Sequence, residues 1–183
     1  DRGIGLVIGD VSGHGMAAGL LMVMAKSCLV NQVRTSPGIR DVMGAINNMI
    51  LESFKKKRLM TFQYAVFTPQ GDRMRFASAG HQFPYLYRQA TGELEEIESI
   101  SYPLGVRRQL DLDPKEVELH EGDCVILFTD GLVEAVNNEN EQLGYDRLRE
   151  IFAQIDSCSA EEAVDLIMKR IDEFRNGAGQ VDD

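Results

Sequence analysis

The chain is poor in cysteine. It contains three in 183 residues, and no two of them form a CxxC pair. Such an odd, widely spaced set argues against a disulfide framework and against a zinc site, and it favours a reducing, cytoplasmic compartment. Cys28 and Cys124 lie in apolar stretches, where we expect them to be buried as small hydrophobic side chains.

Basic residues are also scarce, with 19 Lys and Arg against 29 Asp and Glu and a net charge of -10. This balance disfavours nonspecific binding to nucleic acid and to anionic membranes. The sequence shows no apolar run that we expect to reach the length of a membrane span, and no signal peptide, so no membrane contact is expected from this segment. Two explanations of the acidic excess stay open: a soluble surface, or acids concentrated around a cation.

The order of predicted elements indicates an α+β fold. The length and a hydrophobic content of 44% fit one domain with a sizeable core. A strand buried on both faces, two helices, several hairpins and two closing helices do not alternate as a parallel doubly wound sheet would. The predicted elements are the strand 4–9, the helices 16–34, 37–55, 145–155 and 160–174, and hairpins turning at 68–72, 91–92 and 121–123.

The most informative segment joins a strand to an acid and a glycine-rich turn. The apolar run from Ile4 leads to Asp10, and Gly13, His14 and Gly15 follow. An acid at the end of a buried strand, beside glycines that let a ligand approach the backbone, can fix a hard cation. A lone acid in this position is otherwise a helix cap or turn residue. Several acids that share this pattern therefore support a metal site more strongly than any one of them alone.

Two more acidic positions repeat the pattern. Asp130 follows an apolar strand and precedes a glycine, and the pair Asp182-Asp183 ends the chain. Burying such acids is costly unless they are paired or bound to a metal. Distant acids that converge from strand ends predict a metal site made only of carboxylates.

The same residues allow other interpretations. Gly13, Gly15 and Gly19 do not have the spacing of a dinucleotide loop, and an acid just before them would repel a pyrophosphate. Ser12 is a candidate donor to a phosphate, although a cap of the helix at Met16 is favoured. The basic run 55–58 is interpreted as a solvated helix end, with docking of an acidic or phosphorylated partner as the alternative.

Several motifs together resemble one known family. The segments GDVSGHGMAAGLLM, FASAGHQFPYLYR, PLGV, LFTDGLVEAVN, LGYDRL and VDD follow one another across nearly the whole chain. This order resembles the PPM/PP2C superfamily of metal-dependent protein serine/threonine phosphatases and, within it, the bacterial SpoIIE/RsbU-type branch. The resemblance implies a four-layer α-β-β-α sandwich with two antiparallel sheets, formed by a single domain over residues 1–183.

The resemblance also implies a site for two Mn²⁺ or Mg²⁺ ions. Asp10 would bridge both metals, and the carbonyl of Val11 would be a further ligand. Asp130 would hold one ion and Asp182 the other, with Asp183 as an outer-shell candidate. The implied reaction is attack of a metal-activated water on a phosphoserine or phosphothreonine, without a covalent phosphoenzyme.

We expect different roles for two of the histidines. His14 is a candidate proton donor to the leaving serine oxygen, so the predicted catalytic residues are Asp10, Asp130 and His14. A structural role for His14 stays open, because its spacing from Asp10 differs from that in eukaryotic members of the superfamily. His81 lies in the AGH motif, where we expect it to shape the loop and pack near the cleft.

By the same resemblance, the partner would be a phosphorylated STAS-domain anti-anti-sigma factor, and an N-terminal sensor or receiver domain would be fused to the segment. The family's first Gly-Gly-Asp strand motif and its last strand are expected to be missing here. A longer parent protein is favoured, because deleting two central strands would expose sheet edges. Two alternatives remain: an impaired phosphatase-like scaffold that binds a regulator, and a hydrolase of small phosphate esters.

Overall fold

A computed structural model describes residues 3–54 and 58–179. The chain divides into two compact units. Unit 1 comprises Asp1–His81 and Ser99–Leu119, and unit 2 comprises Gln82–Glu98 and His120–Asp183. The elements in chain order are β1 (Ile4–Val11), α1 (Met16–Thr35), α2 (Ile39–Phe54), β2 (Met60–Phe67), β3 (Arg73–Ala79), β4 (Tyr85–Arg88), β5 (Glu93–Glu96), β6 (Lys115–Glu118), β7 (Cys124–Ile126), α3 (Asp130–Val133), α4 (Gly144–Phe152) and α5 (Ala160–Arg175).

Unit 1 is built on an antiparallel sheet with the order β1-β2-β3-β6. Helices α1 and α2 pack against each other, and both contact this sheet. α2 forms because its apolar residues recur every three or four positions and give one continuous face. The buried residues of that face, together with β2, form the core of unit 1: Val42, Met43, Ile46, Ile50, Phe62 and Tyr64.

The prediction that the first strand is buried on both faces is wrong. In β1 the exposed fractions are 67% for Ile4, 45% for Leu6 and 41% for Val7. The strand lies at the edge of its sheet and pairs with β2 alone among the described strands. A run of apolar residues establishes that a strand forms, but it does not establish what covers the strand.

The expectation that no apolar run reaches the length of a membrane span is corrected for α1. This helix of 20 residues is the one helix in the described part of the chain that is long and apolar enough to cross a membrane. Length and composition are weak grounds, because core helices of soluble proteins meet the same criteria. α1 contributes Leu21 and Ala25 to the core of unit 1, while Leu20 and Val23 are exposed.

Unit 2 contains a sheet with the order β5-β4-β7 and the helices α3, α4 and α5. Its core includes an aromatic cluster in which the ring of Phe152 meets Tyr85 and Phe128 edge to face, at centroid distances of 5.5 and 5.4 Å. The predicted capping box at the start of α5 is confirmed. Ser159 Oγ accepts the Glu162 N–H, and the Glu162 carboxylate accepts the Ser159 N–H.

Two of the predicted hairpins are confirmed, and the third is wrong. β2 pairs with β3, and β4 pairs with β5. The turn at 121–123 instead separates β6, which pairs with β3 in unit 1, from β7, which pairs with β4 in unit 2. A turn motif is local, whereas strand partners are chosen by contacts that lie far apart in the chain.

Asp123 ties this turn to β4. Its side chain is 2% exposed, and it accepts hydrogen bonds from the Arg88 guanidinium and from the N–H groups of Gln89 and His120. Burial alone would raise the pKa of Asp123, but these three donors outweigh it and the pKa is lowered. Its contribution to stability is therefore present above the ordinary carboxyl pKa, and it is lost as the pH falls through the lowered value.

The second helix begins later than predicted. The Ser36-Pro37 signal predicts a start at Pro37, whereas α2 begins at Ile39. Ser36 is the C-cap of α1, and its hydroxyl donates to the Asp41 carboxylate in the first turn of α2. Of the basic run, residues 55–57 lie outside the described residues, while Arg58 is described and precedes β2.

Candidate functional site

Asp10 lies next to the last residue of β1, where it is exposed and faces Thr61 across the β1–β2 pair. Its backbone N–H donates to Thr61 Oγ1 at 3.2 Å. Val11 ends the strand opposite Met60 and is half-buried. The two residues predicted to bind metal in unit 1 are thus adjacent and lie on a hydrogen-bonded strand end.

Thr61 connects this strand end to His81. The distance from Thr61 Oγ1 to His81 Nδ1 is 2.7 Å, and His81 is only 6% exposed. Thr61 Oγ1 accepts the Asp10 N–H, and the same hydroxyl donates to the Asp10 carbonyl at 3.5 Å.

The loop that carries His81 is itself held by a serine. Ser78 Oγ accepts the His81 N–H at 3.2 Å and donates to the His81 carbonyl at 3.0 Å. Gly80 in the same loop has a φ of +67, and a Cβ atom there would lie 2.4 Å from the ring of Pro103. The AGH motif therefore fixes the imidazole that contacts Thr61, which connects it to Asp10.

The loop after Asp10 is fastened to the start of β2. The Ser12 N–H donates to the Leu59 carbonyl at 3.0 Å, and Ser12 Oγ accepts the Leu59 N–H at 3.1 Å. The prediction that Ser12 caps α1 is wrong, because its hydroxyl is used here. The N-cap of α1 is Gly15, which has no side-chain cap.

His14 is exposed in this loop, between Gly13 and Gly15. Both glycines have a φ of +82, a left-handed conformation that other residues adopt only with strain. The glycines thus set the path of the chain around His14. The catalytic role of His14 stays a prediction.

Asp130 lies in unit 2 as the half-buried first residue of the short helix α3, which was not predicted. Tyr145 lies within the electrostatic reach of this carboxylate. Burial raises the pKa of the Tyr145 hydroxyl, and the negative charges of Asp130, Glu96 and Glu134 raise it further. The hydroxyl donates to Gln82 Oε1 at 2.5 Å.

Sequence reasoning missed Thr61, Tyr145 and Gln82 as neighbours of the predicted site residues. Gln82 directly follows the AGH motif and Tyr145 lies in LGYDRL, so both belong to the motifs that carry the family resemblance. Thr61 belongs to no quoted motif. Only the strand register, which places it opposite Asp10, identifies it.

The predicted metal ligands that the structure describes belong to two different units of the chain. Asp10 and Val11 belong to unit 1 and Asp130 to unit 2, while Asp182 and Asp183 lie outside the described residues. Among residues 3–54 and 58–179, no three His, Cys, Asp or Glu side chains form a metal-binding group. Convergence of the acids stays a prediction. Their donor chemistry, carboxylate and carbonyl oxygen, fits Mg²⁺ or Mn²⁺.

A cavity of about 660 Å³ in unit 1 has a different character. It is lined by the start of β1 and the facing ends of α1 and α2, with apolar side chains and the two cations Arg34 and Arg75. It contains no carboxylate and none of the predicted site residues. A cavity with this lining does not suit a divalent cation.

Comparison with known proteins identifies the family. The family model described as Stage II sporulation protein E (SpoIIE) matches residues 1–183. The chain is 27% identical over 161 residues to the phosphoserine phosphatase RsbU of Bacillus subtilis (strain 168), which covers 88% of this chain and 48% of RsbU. The chain thus spans about half the length of this relative.

Two solved structures show the same fold. The SiaA-PP2C domain of Pseudomonas aeruginosa has a TM-score of 0.85 at 17% identity, covering 99% of this chain and 73% of that one. The catalytic domain of the serine/threonine phosphatase PstP, solved with 2 manganese ions, has a TM-score of 0.62 at 18% identity, covering 92% and 89%. At these identities the likeness shows the fold alone, and it confirms the predicted PP2C-like α+β class. The match of the family model to residues 1–183 shows that this protein belongs to the SpoIIE family, in agreement with the predicted SpoIIE/RsbU-like resemblance.

Proposed function

We propose that this chain is the phosphatase domain of a signalling protein and hydrolyses phosphoserine or phosphothreonine on a protein substrate. One observation carries the proposal beyond family membership: Asp10 is held at a strand end by Thr61, whose hydroxyl contacts the buried His81. Thr61 contacts the Asp10 backbone and so fixes the main chain from which the carboxylate projects, a support of the kind that outer-shell partners give to metal ligands. In support, the relative RsbU is named a phosphoserine phosphatase.

The proposed cofactor is a pair of Mn²⁺ or Mg²⁺ ions. Asp10, the Val11 carbonyl, Asp130 and Asp182 would hold them, with Asp183 in the outer shell. Divalent cations in such a site lower the pKa of bound water and neutralise phosphoryl oxygens. The similarity to PstP, which was solved with manganese, supports this part of the proposal.

The remaining roles fall to this chain's own residues. His14, which is exposed in the loop after Asp10, would give a proton to the leaving serine oxygen. Thr61 and His81 keep the strand end in place during turnover. We propose a phosphorylated STAS-domain regulator as the substrate, a fused N-terminal sensor or receiver domain, and a cytoplasmic location.

The test is hydrolysis by the full-length protein of p-nitrophenyl phosphate, a phosphoserine peptide and a phosphorylated STAS protein, with Mn²⁺ and with EDTA. We expect release of phosphate from the STAS protein with Mn²⁺ and none with EDTA. Tight binding of the phosphorylated regulator without turnover would instead establish a scaffold. A preference for small esters over both phosphorylated polypeptides would establish the small-ester hydrolase.

Thr61→Val tests the hydrogen bond between the Thr61 hydroxyl and the Asp10 backbone. Valine keeps the shape of the side chain but leaves the Asp10 N–H and His81 Nδ1 without their shared partner. We expect Mn²⁺-dependent hydrolysis of p-nitrophenyl phosphate to fall by up to about 10-fold, the lower end of the range for loss of an outer-shell partner, because Thr61 supports the Asp10 main chain rather than its carboxylate. The readout is the initial rate as a function of Mn²⁺ concentration.

Thr61→Ser is the matched control, because it retains the hydroxyl and removes only a methyl group. We expect this variant to keep most of the wild-type rate. Equal rates in Thr61→Val and wild type at every Mn²⁺ concentration would show that the hydroxyl does not support the site.

A further inference from the structure

Arg58 reaches back from the start of β2 to the loop that follows Asp10. Its Nη1 donates to the Ser12 carbonyl at 2.5 Å, and its side chain is half-buried. Ser12 is also paired with Leu59 through two hydrogen bonds. The guanidinium is therefore held beside the segment that continues from Asp10 and Val11.

Gly13 leaves the room that the guanidinium occupies. A Cβ atom at Gly13 would lie 2.3 Å from Arg58 Nη1 and 3.5 Å from Cζ. Gly13 also has a φ of +82, so the backbone conformation favours glycine, and a Cβ atom would in addition displace the guanidinium. The glycine-rich turn thus admits the arginine as well as setting the path of the chain.

The charge of Arg58 is not balanced by an acid within the described residues. The hydrogen bond to Ser12 is its one polar contact there, whereas Arg73, Arg88 and Arg149 each pair with a glutamate. A guanidinium has five N–H donors in a rigid fork. Among residues 3–54 and 58–179, this half-buried cation has no acid beside it, and a bound anion would balance its charge.

We propose that Arg58 binds the phosphoryl group of the substrate through the N–H donors that Ser12 does not use. A guanidinium matches phosphate oxygens with two parallel hydrogen bonds, and it stays charged at any working pH. The contact to Ser12 restricts the side chain before substrate arrives, which reduces the ordering that binding must impose. This inference rests on the proposed phosphatase function, and it assigns substrate recognition to a residue outside the metal ligands.

The competing explanation is that Arg58 only fixes the loop. Kinetic measurements distinguish the two roles. A phosphate-binding residue changes KM for the ester and the inhibition constant of inorganic phosphate, which is the product. A residue that only fixes the loop changes kcat and the Mn²⁺ dependence and leaves phosphate binding as it was.

The test compares Arg58→Ala, Arg58→Lys and a control, Arg107→Ala, in the full-length protein. Arg107 is also in unit 1, but it is exposed and stacks on the Tyr102 ring at 3.8 Å. Its removal changes the net charge equally without touching the loop. Three quantities are measured: kcat and KM for p-nitrophenyl phosphate with Mn²⁺, and the calorimetric affinity for inorganic phosphate with Mg²⁺.

For Arg58→Ala we expect phosphate binding weaker by about 10- to 100-fold, in line with hydrogen bonds to a charged group, and a higher KM. Arg58→Lys should recover part of the affinity, because it keeps the charge and loses the fork. Arg107→Ala should match wild type. Thermal unfolding of each variant checks that the fold is retained.

Wild-type phosphate affinity in Arg58→Ala overturns the inference, whether or not its kcat falls. A weakening of equal size in Arg107→Ala also overturns it, because general charge would then explain the effect. If the wild-type protein binds phosphate through Arg58 but hydrolyses no ester, the proposed function fails while the assignment of Arg58 as a phosphate-binding residue stands. The two failures are therefore distinguishable.

Discussion

Asp10→Asn is expected to lower Mn²⁺-dependent hydrolysis of p-nitrophenyl phosphate by the full-length protein more than about 100-fold. Loss of an outer-shell partner already costs about 10- to 100-fold, and loss of the ligand itself should cost more. The side chain is exposed at the end of β1, and the backbone N–H that contacts Thr61 is unchanged by the substitution. We therefore expect the free energy of unfolding to stay within about 0.5 kcal/mol of wild type.

Asp111→Asn is the matched control, since it removes one carboxylate from an exposed position elsewhere in unit 1. Its rate should equal that of wild type. Asp130→Asn extends the test to unit 2, and a comparable loss is expected if both acids serve the same ions. A wild-type rate in Asp10→Asn would remove the basis for the proposed metal site.

The sequence predicts the helices well, because the signals that specify them are local. In α5 the capping box and the recurring apolar positions lie within the helix itself, and the structure confirms both. In α2 the apolar period is confirmed while the start is displaced to Ile39. The displacement is physical, because Ser36 terminates α1 and uses its hydroxyl on Asp41.

Strand partners and strand exposure could not be predicted in the same way. The turn before β7 has the residues of a hairpin, but Asp123 fastens it to Arg88 and Gln89 of the β4 region. β1 has the composition of a central strand and lies at a sheet edge. Both outcomes depend on contacts between distant parts of the chain, which a local pattern does not contain.

In the candidate site, too, local features could be predicted from the sequence and long-range contacts could not. Asp10 could be identified from sequence because an apolar strand, an acid and glycines are contiguous. Thr61 is separated from Asp10 by 51 positions, and only the pairing of β1 with β2 brings them together. Arg58 was visible as one member of a basic run at a helix end, but its contact with Ser12 depends on the loop geometry.

Phe152→Ala is expected to lower the free energy of unfolding by about 3–5 kcal/mol, the usual cost of deleting a buried aromatic ring. Phe152 is fully buried, and it packs edge to face on Tyr85 of β4 and on Phe128, two residues before Asp130. Because a domain of this kind has about 5–15 kcal/mol of stability in total, the loss is a large share of it. Urea unfolding followed by circular dichroism measures the change.

Two further variants show whether the aromatic cluster causes the loss. Phe152→Leu keeps most of the buried volume and should cost less than the alanine variant, because the remaining cavity is smaller. Glu150→Ala lies on the exposed side of the same helix, α4, and should stay within about 0.5 kcal/mol of wild type. A loss below about 1 kcal/mol in Phe152→Ala would mean that the three rings do not pack as described. In that case the packing that holds the strand leading to Asp130 would have to come from other residues of unit 2.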